Sequence, residues 1–519
     1  MTFKNCSKVL SLCLVLMFAL AACSGGTGTA TQATTQAAAT AATTAATTAA
    51  VQEPPAKLVL FYPFQSATST PEGMDAVRAE LEKQMAEDLN VTLDWIIIPR
   101  DGFEEKKNTL LASGDQLDGF IGDTDDFGVD ISKPGLVAPI GALVEQYGQN
   151  IRKMMPEDAW INVKNPSGEI LGIPSYERVY WNGAIIRQDW LEDAGLEMPT
   201  TVEEFETVLA AFKDRGDVVP VAGKPWFLEP SMASAISGGV TAETGWETES
   251  PEGVFIQAYE HPDYVKFLEM YRRWLDNGWY DPDFLVTDES QYDQWLITGK
   301  VGVLFTDPRN IDRYQPQLTA QDPDGKLEIM PVLSGPMGDA ALPENSGAGM
   351  IAYVTTMSKH PELVVKYFDW LAANRENYIL GKYGIDGANY VRDGEDGWKL
   401  PDSAGGDESK RGYDTVYMPL SYEGYALKRT DLSYDVEATQ DYYRSLPMFV
   451  NPLKGFVIDW EKVGDFNSID IWVENYNIAA GVRPISEWQA MVDEYEASVE
   501  GPYAEIRRQH EEWKAANGR

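Results

Sequence analysis

An alternation of apolar runs and helical stripes over residues 58 to 122 limits this chain to a small set of folds. Leu58-Val59-Leu60-Phe61 is a short continuous apolar run of the kind a buried strand needs. Met74, Val77, Leu81 and Met85 then recur at helical spacing. Val91 to Ile96 reads as a second strand, Gly102 to Ala112 as a second helix, and Leu117 to Gly122 as a third strand. Strands alternating with helices predict a parallel, doubly wound α/β sheet. Ligands of such sheets bind beyond the carboxyl ends of the strands, here at Tyr62 to Gln65 and Asp123 to Asp126. The same vocabulary continues. Thr201 with Glu204 forms a capping box ahead of the stripe Val202, Phe205, Val208, Leu209 and Phe212. Ala184 to Arg187, Val218 to Val221, Val301 to Phe305 and Met350 to Val354 read as strands. Tyr264 to Leu275, a segment opened by Pro361 and the residues from Ser486 onward read as helices.

The first residues have a separate purpose. Lys4 and Lys8 precede an apolar run from Val9 to Ala19, followed by Leu20-Ala21-Ala22-Cys23-Ser24-Gly25-Gly26. A basic start, a short apolar core and small residues before a cut site constitute an export signal. Leu20 to Cys23 resembles a bacterial lipobox, which implies that Cys23 is lipidated and begins the mature chain. From Gly25 to about Pro55 the sequence is nearly all Ala, Thr, Gln and Gly. With so little apolar surface to bury, this stretch reads as a disordered tether.

Composition excludes several kinds of chemistry. The other two cysteines, Cys6 and Cys13, lie inside the expected signal, so a mature chain has no disulfide and no thiol site. Three histidines, His261, His360 and His510, are few for a zinc centre or a Ser-His-Asp triad. Loss of Lys4 and Lys8 leaves 40 basic against 81 acidic residues, and such a surface repels nucleic acid. No cofactor motif is present. Fifteen Trp and twenty-five Tyr exceed what a core needs and point to an aromatic binding surface.

Several segments together resemble the extracellular solute-binding proteins of ABC importers, the maltose-binding-protein-like class, in its lipoprotein subgroup. They are Leu171-Gly172-Ile173-Pro174, Ala184 to Leu196, Pro199 to Phe205, Gly299 to Phe305, Lys366 to Leu371 and Tyr383 to Gly387. The resemblance implies two lobes, each a mostly parallel sheet flanked by helices, joined by hinge crossover strands. The expected division is 1–22 signal, 23–56 lipidated Cys and tether, and 57–170 first lobe. Then come 171–347 second lobe, 348–388 first lobe again, and 389–519 mainly second lobe and C-terminal helices. Crossings are expected near Pro166 to Tyr176, Ser346 to Val354 and Gly384 to Arg392.

It further implies a monomer on the extracellular face of the membrane, lipid-anchored, that delivers a carbohydrate to ABC permease subunits and performs no catalysis. Sugars stack their C–H faces on aromatic rings and need fixed polar partners for their hydroxyls. The candidate ligand-binding residues are therefore Tyr62, Asp123, Asp125, Glu177, Tyr180, Trp181, Trp226, Asp307 and Arg309. Each has a plain structural alternative: a turn aspartate, a core aromatic or a surface ion pair. Arg309 leaves room for an acidic sugar. Tyr413, Tyr417, Tyr422 and Tyr425 either line a rim or pack within a loop. Asp322-Pro323-Asp324-Gly325 is an acidic turn without the spacing of a calcium loop. Alternative functions are a cell-surface glycoside hydrolase, which needs two carboxylates at a defined separation, a binding-only sensor and a peptide receptor.

Overall fold

In the computed structural model, the described residues are 54–64, 70–99, 102–122, 135–176, 179–241, 247–344, 350–406, 408–413, 421–432, 434–463 and 470–519. Cys23, Asp123, Asp125, Glu177 and Tyr417 lie outside them, as do the expected signal and most of the expected tether.

The N-terminal alternation folds as its pattern requires. Strand β1 (Ala56–Phe64) lies between β2 (Val91–Pro99) and β3 (Gly119–Gly122), parallel to both. Helix Pro71–Met85 joins the first two and buries Val77, Leu81 and Met85. Thr70 caps it by accepting the Gly73 N–H at 3.1 Å. The same sheet gains β4 (Gly172–Pro174). The second sheet starts with β5 (Gly183–Arg187) and β6 (Val219–Gly223), followed in the chain by a hairpin of β7 (Glu247–Glu249) and β8 (Phe255–Gln257). It is completed by β9 (Val301–Thr306) and β10 (Leu327–Met330). The short β11 (Leu342–Pro343) precedes the return to the first sheet through β12 (Ile351–Val354).

The strand orders are β2-β1-β3-β12-β4 and β10-β5-β9-β6. Both sheets are mixed. Parallel pairing is confined to β2-β1-β3 and β6-β9, while β12, β4, β5 and β10 pair antiparallel. The reason is connectivity: β5 and β12 follow crossings and run opposite to the strands built by local βα units, while β4 and β10 run with those strands but pair only with β12 and β5. The expectation of mostly parallel sheets is corrected to that extent.

Two large cores follow. One holds Leu58, Leu60, Phe120, Ile173, Tyr353 and Phe368, the other Phe205, Phe212, Tyr264, Trp274, Phe305 and Tyr503. The capping box forms as read, with Glu204 N–H donating to Thr201 Oγ1 at 3.2 Å and Thr201 N–H to Glu204 Oε2 at 3.2 Å. The acidic turn at Asp322 is structural: its carboxylate pairs with buried Arg187 at 2.8 Å.

Two placements differ from expectation. The chain does not leave the first lobe near Gly384 to Arg392. Tyr390, Trp398, Leu400, Tyr413 and Leu427 all pack in the first core. Trp398 is held there between the Arg411 and Arg429 guanidinium groups, 4.7 and 5.3 Å from its ring centre. The second lobe is reached by Tyr434, whose N–H donates to Asp312 Oδ1 at 2.9 Å. The aromatic surplus is also largely internal, since Tyr259, Tyr264, Tyr271, Tyr280, Tyr292, Tyr314 and Trp274 are fully buried. Tyr413 belongs to this group, with its hydroxyl donating to the Gly381 carbonyl at 2.7 Å, and Tyr422 packs edge-on against Tyr425.

Glu260 makes stability depend on pH. It is buried where the C-terminal helix meets the second core and accepts hydrogen bonds from Tyr503 Oη and the Gln257 N–H. Burial pushes its carboxyl up to about 7, against the Tyr503 and Gln257 hydrogen bonds, with Glu496 nearby raising it and Arg507 lowering it. An acid raised in the folded state binds more protons folded than unfolded, so stability falls as pH rises from about 4.5 to 7 and is flat above. Glu260→Gln keeps an acceptor and removes that fall. The unfolding free energy of the variant relative to wild type, read by denaturant unfolding across pH, is expected to climb between pH 4.5 and 7 by a span of order 3 kcal/mol.

Candidate functional site

The pairing in the second sheet determines which chain segments meet. Gly183 of β5 faces Thr306 of β9, and Gly223 of β6 faces Phe305 of β9. The start of β5 and the carboxyl ends of β6 and β9 therefore share one end of the sheet. The first crossover delivers the chain into β5 at that end, which accordingly faces the first lobe. Three segments converge there: Trp181-Asn182 before β5, Lys224-Pro225-Trp226 after β6, and Asp307-Pro308-Arg309 after β9.

Trp181 and Trp226 are 49% and 37% exposed, in a protein whose other large aromatics are mostly interior. Each ring is braced. The Arg309 guanidinium lies over Trp181, 4.4 Å from the ring centre. Arg309 is fixed in turn by Asp307, through Nη2 at 2.6 Å and Nε at 3.0 and 3.1 Å. Asp307 is itself anchored, accepting the Arg309 backbone N–H at 3.0 Å as the cap of the short turn Pro308–Asn310. Trp226 Nε1 donates to Glu289 at 3.1 Å, and Lys224 Nζ lies 5.4 Å from its ring centre. Lys224 is nearly buried and donates to the Phe284 carbonyl at 3.0 Å. Burial lowers its amine below the ordinary lysine value, opposed by Glu289, Asp288 and Asp281.

The two tryptophans are coupled by a proline that sequence reasoning passed over. Helix Pro225–Ser237 contains Pro230. Having no N–H, Pro230 leaves the Trp226 carbonyl, four residues back, without its helical donor. Asn182 Nδ2 occupies that vacancy, donating to the Trp226 carbonyl at 2.9 Å. The residue next to one ring thus holds the backbone of the other. The legible signal was a proline four residues after an exposed tryptophan; its partner, Asn182, is 44 residues away and had no signal.

Two candidates are elsewhere. Tyr180 is 5% exposed, in a small core with Val332, Leu342 and Tyr443. Gln440 pins its backbone from both sides, at 2.9 and 3.0 Å, and its hydroxyl donates to Met448 Sδ at 3.1 Å. Tyr62 is buried in the first core, edge-on to Trp95 at 5.7 Å, and burial beside Tyr367 drives its hydroxyl well above the ordinary tyrosine value. Neither presents a ring to the sheet end that carries Trp181 and Trp226.

Gly223 sets the direction of the Trp226 segment. Its φ is 144°, and a Cβ there would lie 2.7 Å from both the Phe305 carbonyl oxygen and the Phe305 Cβ. Gly223→Ala therefore combines backbone strain with a clash against a neighbouring strand. It is expected to cost on the order of 3 kcal/mol in denaturant unfolding and to displace Trp226.

Residues 67–378 match the family model described as bacterial extracellular solute-binding protein. Lipoprotein LipO of Bacillus subtilis is 27% identical over 341 residues, 60% of this chain and 64% of that protein. The polygalacturonan/rhamnogalacturonan-binding protein YtcQ of the same organism is 27% identical over 337 residues, 62% of this chain and 64% of its own length. The fructooligosaccharide ABC transporter substrate-binding protein FusA of Streptococcus pneumoniae is 24% identical over 353 residues, 62% of this chain and 63% of that protein. The match thus spans a little under two thirds of the length of these relatives. Among solved structures, FusA in complex with kestose superimposes with a TM-score of 0.66 at 21% identity, covering 89% of this chain and all of that one. A solute-binding protein of Bifidobacterium longum infantis gives 0.65 at 17% identity, covering 88% and 99%. These likenesses carry the two-lobed fold, and with the family match they show that the chain belongs to the bacterial extracellular solute-binding proteins.

Proposed function

We propose that the protein captures an oligosaccharide between its lobes and delivers it to an ABC permease, without catalysis. The observation that carries this reading is the pair of exposed, braced tryptophans at the sheet end facing the first lobe. Two rings held by side chains that are themselves hydrogen-bonded form a surface on which successive sugar units stack without the protein first reordering. Asp123 and Asp125, which follow β3 in the chain, are proposed as hydroxyl acceptors from the first lobe, with Glu177 beside the first crossover. Ligand contacts that need both lobes favour the closed form over the open one, and the permease reads the closed form. The names of YtcQ and FusA, both carbohydrate binders, support a carbohydrate.

The test is a thermal-shift screen of the purified protein against oligosaccharides and short peptides, with a reducing-end assay on every hit. A ligand at a hundredfold its Kd adds about 2.7 kcal/mol to stability. Stabilisation by a sugar that is recovered uncut supports the reading. Stabilisation by peptides alone, or cleavage of the sugar, overturns it.

The protein is further proposed to act as a monomer held at the extracellular face of the cell membrane through lipid on Cys23. Cys23→Ala is expected to move the protein from the membrane fraction to the medium, read by fractionation and immunoblot, because the variant has lost the site of lipid attachment and, among the described residues, no helix is long and apolar enough to cross a membrane.

A further inference from the structure

Two of the relatives are named for carbohydrates that differ in charge, an anionic polygalacturonan in one case and an uncharged fructooligosaccharide in the other, so likeness leaves the ligand's charge open. Among the described residues, the side chains around Trp181 and Trp226 address it. An anionic sugar needs a cation that can turn to meet it. Arg309 is engaged by Asp307 through two of its nitrogens. Asp307 cannot swing aside cheaply, because the same carboxylate caps the turn that carries Arg309. A ligand carboxylate would have to displace a fixed intramolecular one and then lie beside it. Lys224, under Trp226, is directed inward to the Phe284 and Leu285 carbonyls. The group at the rim of that ring is a further carboxylate, Glu289.

We infer that this site takes uncharged sugar units and discriminates against uronates and other anionic sugars. The Asp307–Arg309 pair presents fixed donors and acceptors to sugar hydroxyls while cancelling its own charge. Asp307 is thus the specificity-determining residue, and it acts by occupying Arg309.

This inference rests on the carbohydrate reading, and its test separates the two. Wild type and Asp307→Asn are titrated by calorimetry with neutral fructo-, gluco-, galacto- and manno-oligosaccharides and with oligogalacturonates and oligomannuronates of matched length. Asn retains the cap acceptor, and circular dichroism checks the fold. Wild type is expected to bind at least one neutral series and no oligouronate within tenfold of it. Asp307→Asn, which takes the Asp307 charge away from Arg309, is expected to bind oligouronates about tenfold more tightly than wild type does. An oligouronate that binds wild type as tightly as the best neutral sugar overturns the inference and leaves the carbohydrate reading standing. An unchanged neutral-to-anionic preference in a folded Asp307→Asn overturns the role of Asp307. Binding of neither class to wild type overturns the carbohydrate reading itself, and the inference with it.

Discussion

Trp226→Ala is expected to weaken oligosaccharide binding by one to two orders of magnitude with little change in melting temperature. The ring is 37% exposed, and its Nε1 bond to Glu289 lies at the surface, so the fold loses little when it is removed. The ligand loses an apolar face. Burial of a sugar face against an indole, with a ring-specific contribution of about 0.5–1.5 kcal/mol, amounts to roughly 2–3 kcal/mol. Trp181→Ala is expected to cost a similar amount, and Arg309 stays paired with Asp307 when its aromatic support goes. If the rings stack different sugar units, the losses add for a long ligand. A ligand too short to reach both rings responds to one variant only. Calorimetric titration of both single variants and the double variant with a ladder of chain lengths reads this directly. Undiminished affinity in both single variants would remove the rings from the binding surface.

The neighbours Tyr180 and Trp181 show what was legible in the sequence and what was not. Composition marks both as large aromatics after a crossover, and nothing local separates them. In extended chain, successive side chains point to opposite faces. Gln440, 260 residues away, settles which faces inward by pinning the Tyr180 backbone. The buried stripes, the capping box and β1 to β3 were legible because their signals span a few residues. The convergence of residues 181, 226 and 307 was legible only as three separate strand ends. Their meeting depends on β9 pairing antiparallel with β5 and parallel with β6, which is a tertiary choice. The late third crossing was missed for a similar reason. Residues 390–427 read as turns, and what keeps the described part of them in the first lobe is the packing of Tyr390, Trp398, Leu400, Tyr413 and Leu427 in its core, with Trp398 also held against two arginines. Tyr62 follows the strand-end rule by position, yet its ring turns inward to Trp95.

The helix that carries Trp226 also carries a position that is costly to alter. One turn on, Glu229 is fully buried. Its Oε1 accepts hydroxyls from Tyr476 at 2.8 Å, Tyr264 at 2.9 Å and Tyr271 at 3.3 Å. Burial, with the Glu229 charge, pushes all three hydroxyls well above the ordinary tyrosine value, so they stay protonated donors. One carboxylate oxygen therefore ties helix Pro225–Ser237 to helix Val265–Asp276 and to the distant helix Ile471–Ala479. Glu229→Ala strands three buried hydroxyls and opens a cavity. At about 1–3 kcal/mol per unsatisfied group, with partial relaxation, the expected loss is on the order of 4 kcal/mol or more. That is a large fraction of the stability of any natural domain. Glu229→Gln retains one acceptor oxygen in the same shape and is expected to lose roughly half as much. Denaturant unfolding of both variants reads the difference, and the order Ala worse than Gln is the decisive part. Equal losses would mean that the charge, rather than the acceptor geometry, holds the three helices together. Because Trp226 stands on the first turn of the same helix, the folded fraction of Glu229→Gln is also expected to bind sugar more weakly. Asn182 holds the Trp226 carbonyl only while that turn keeps its place.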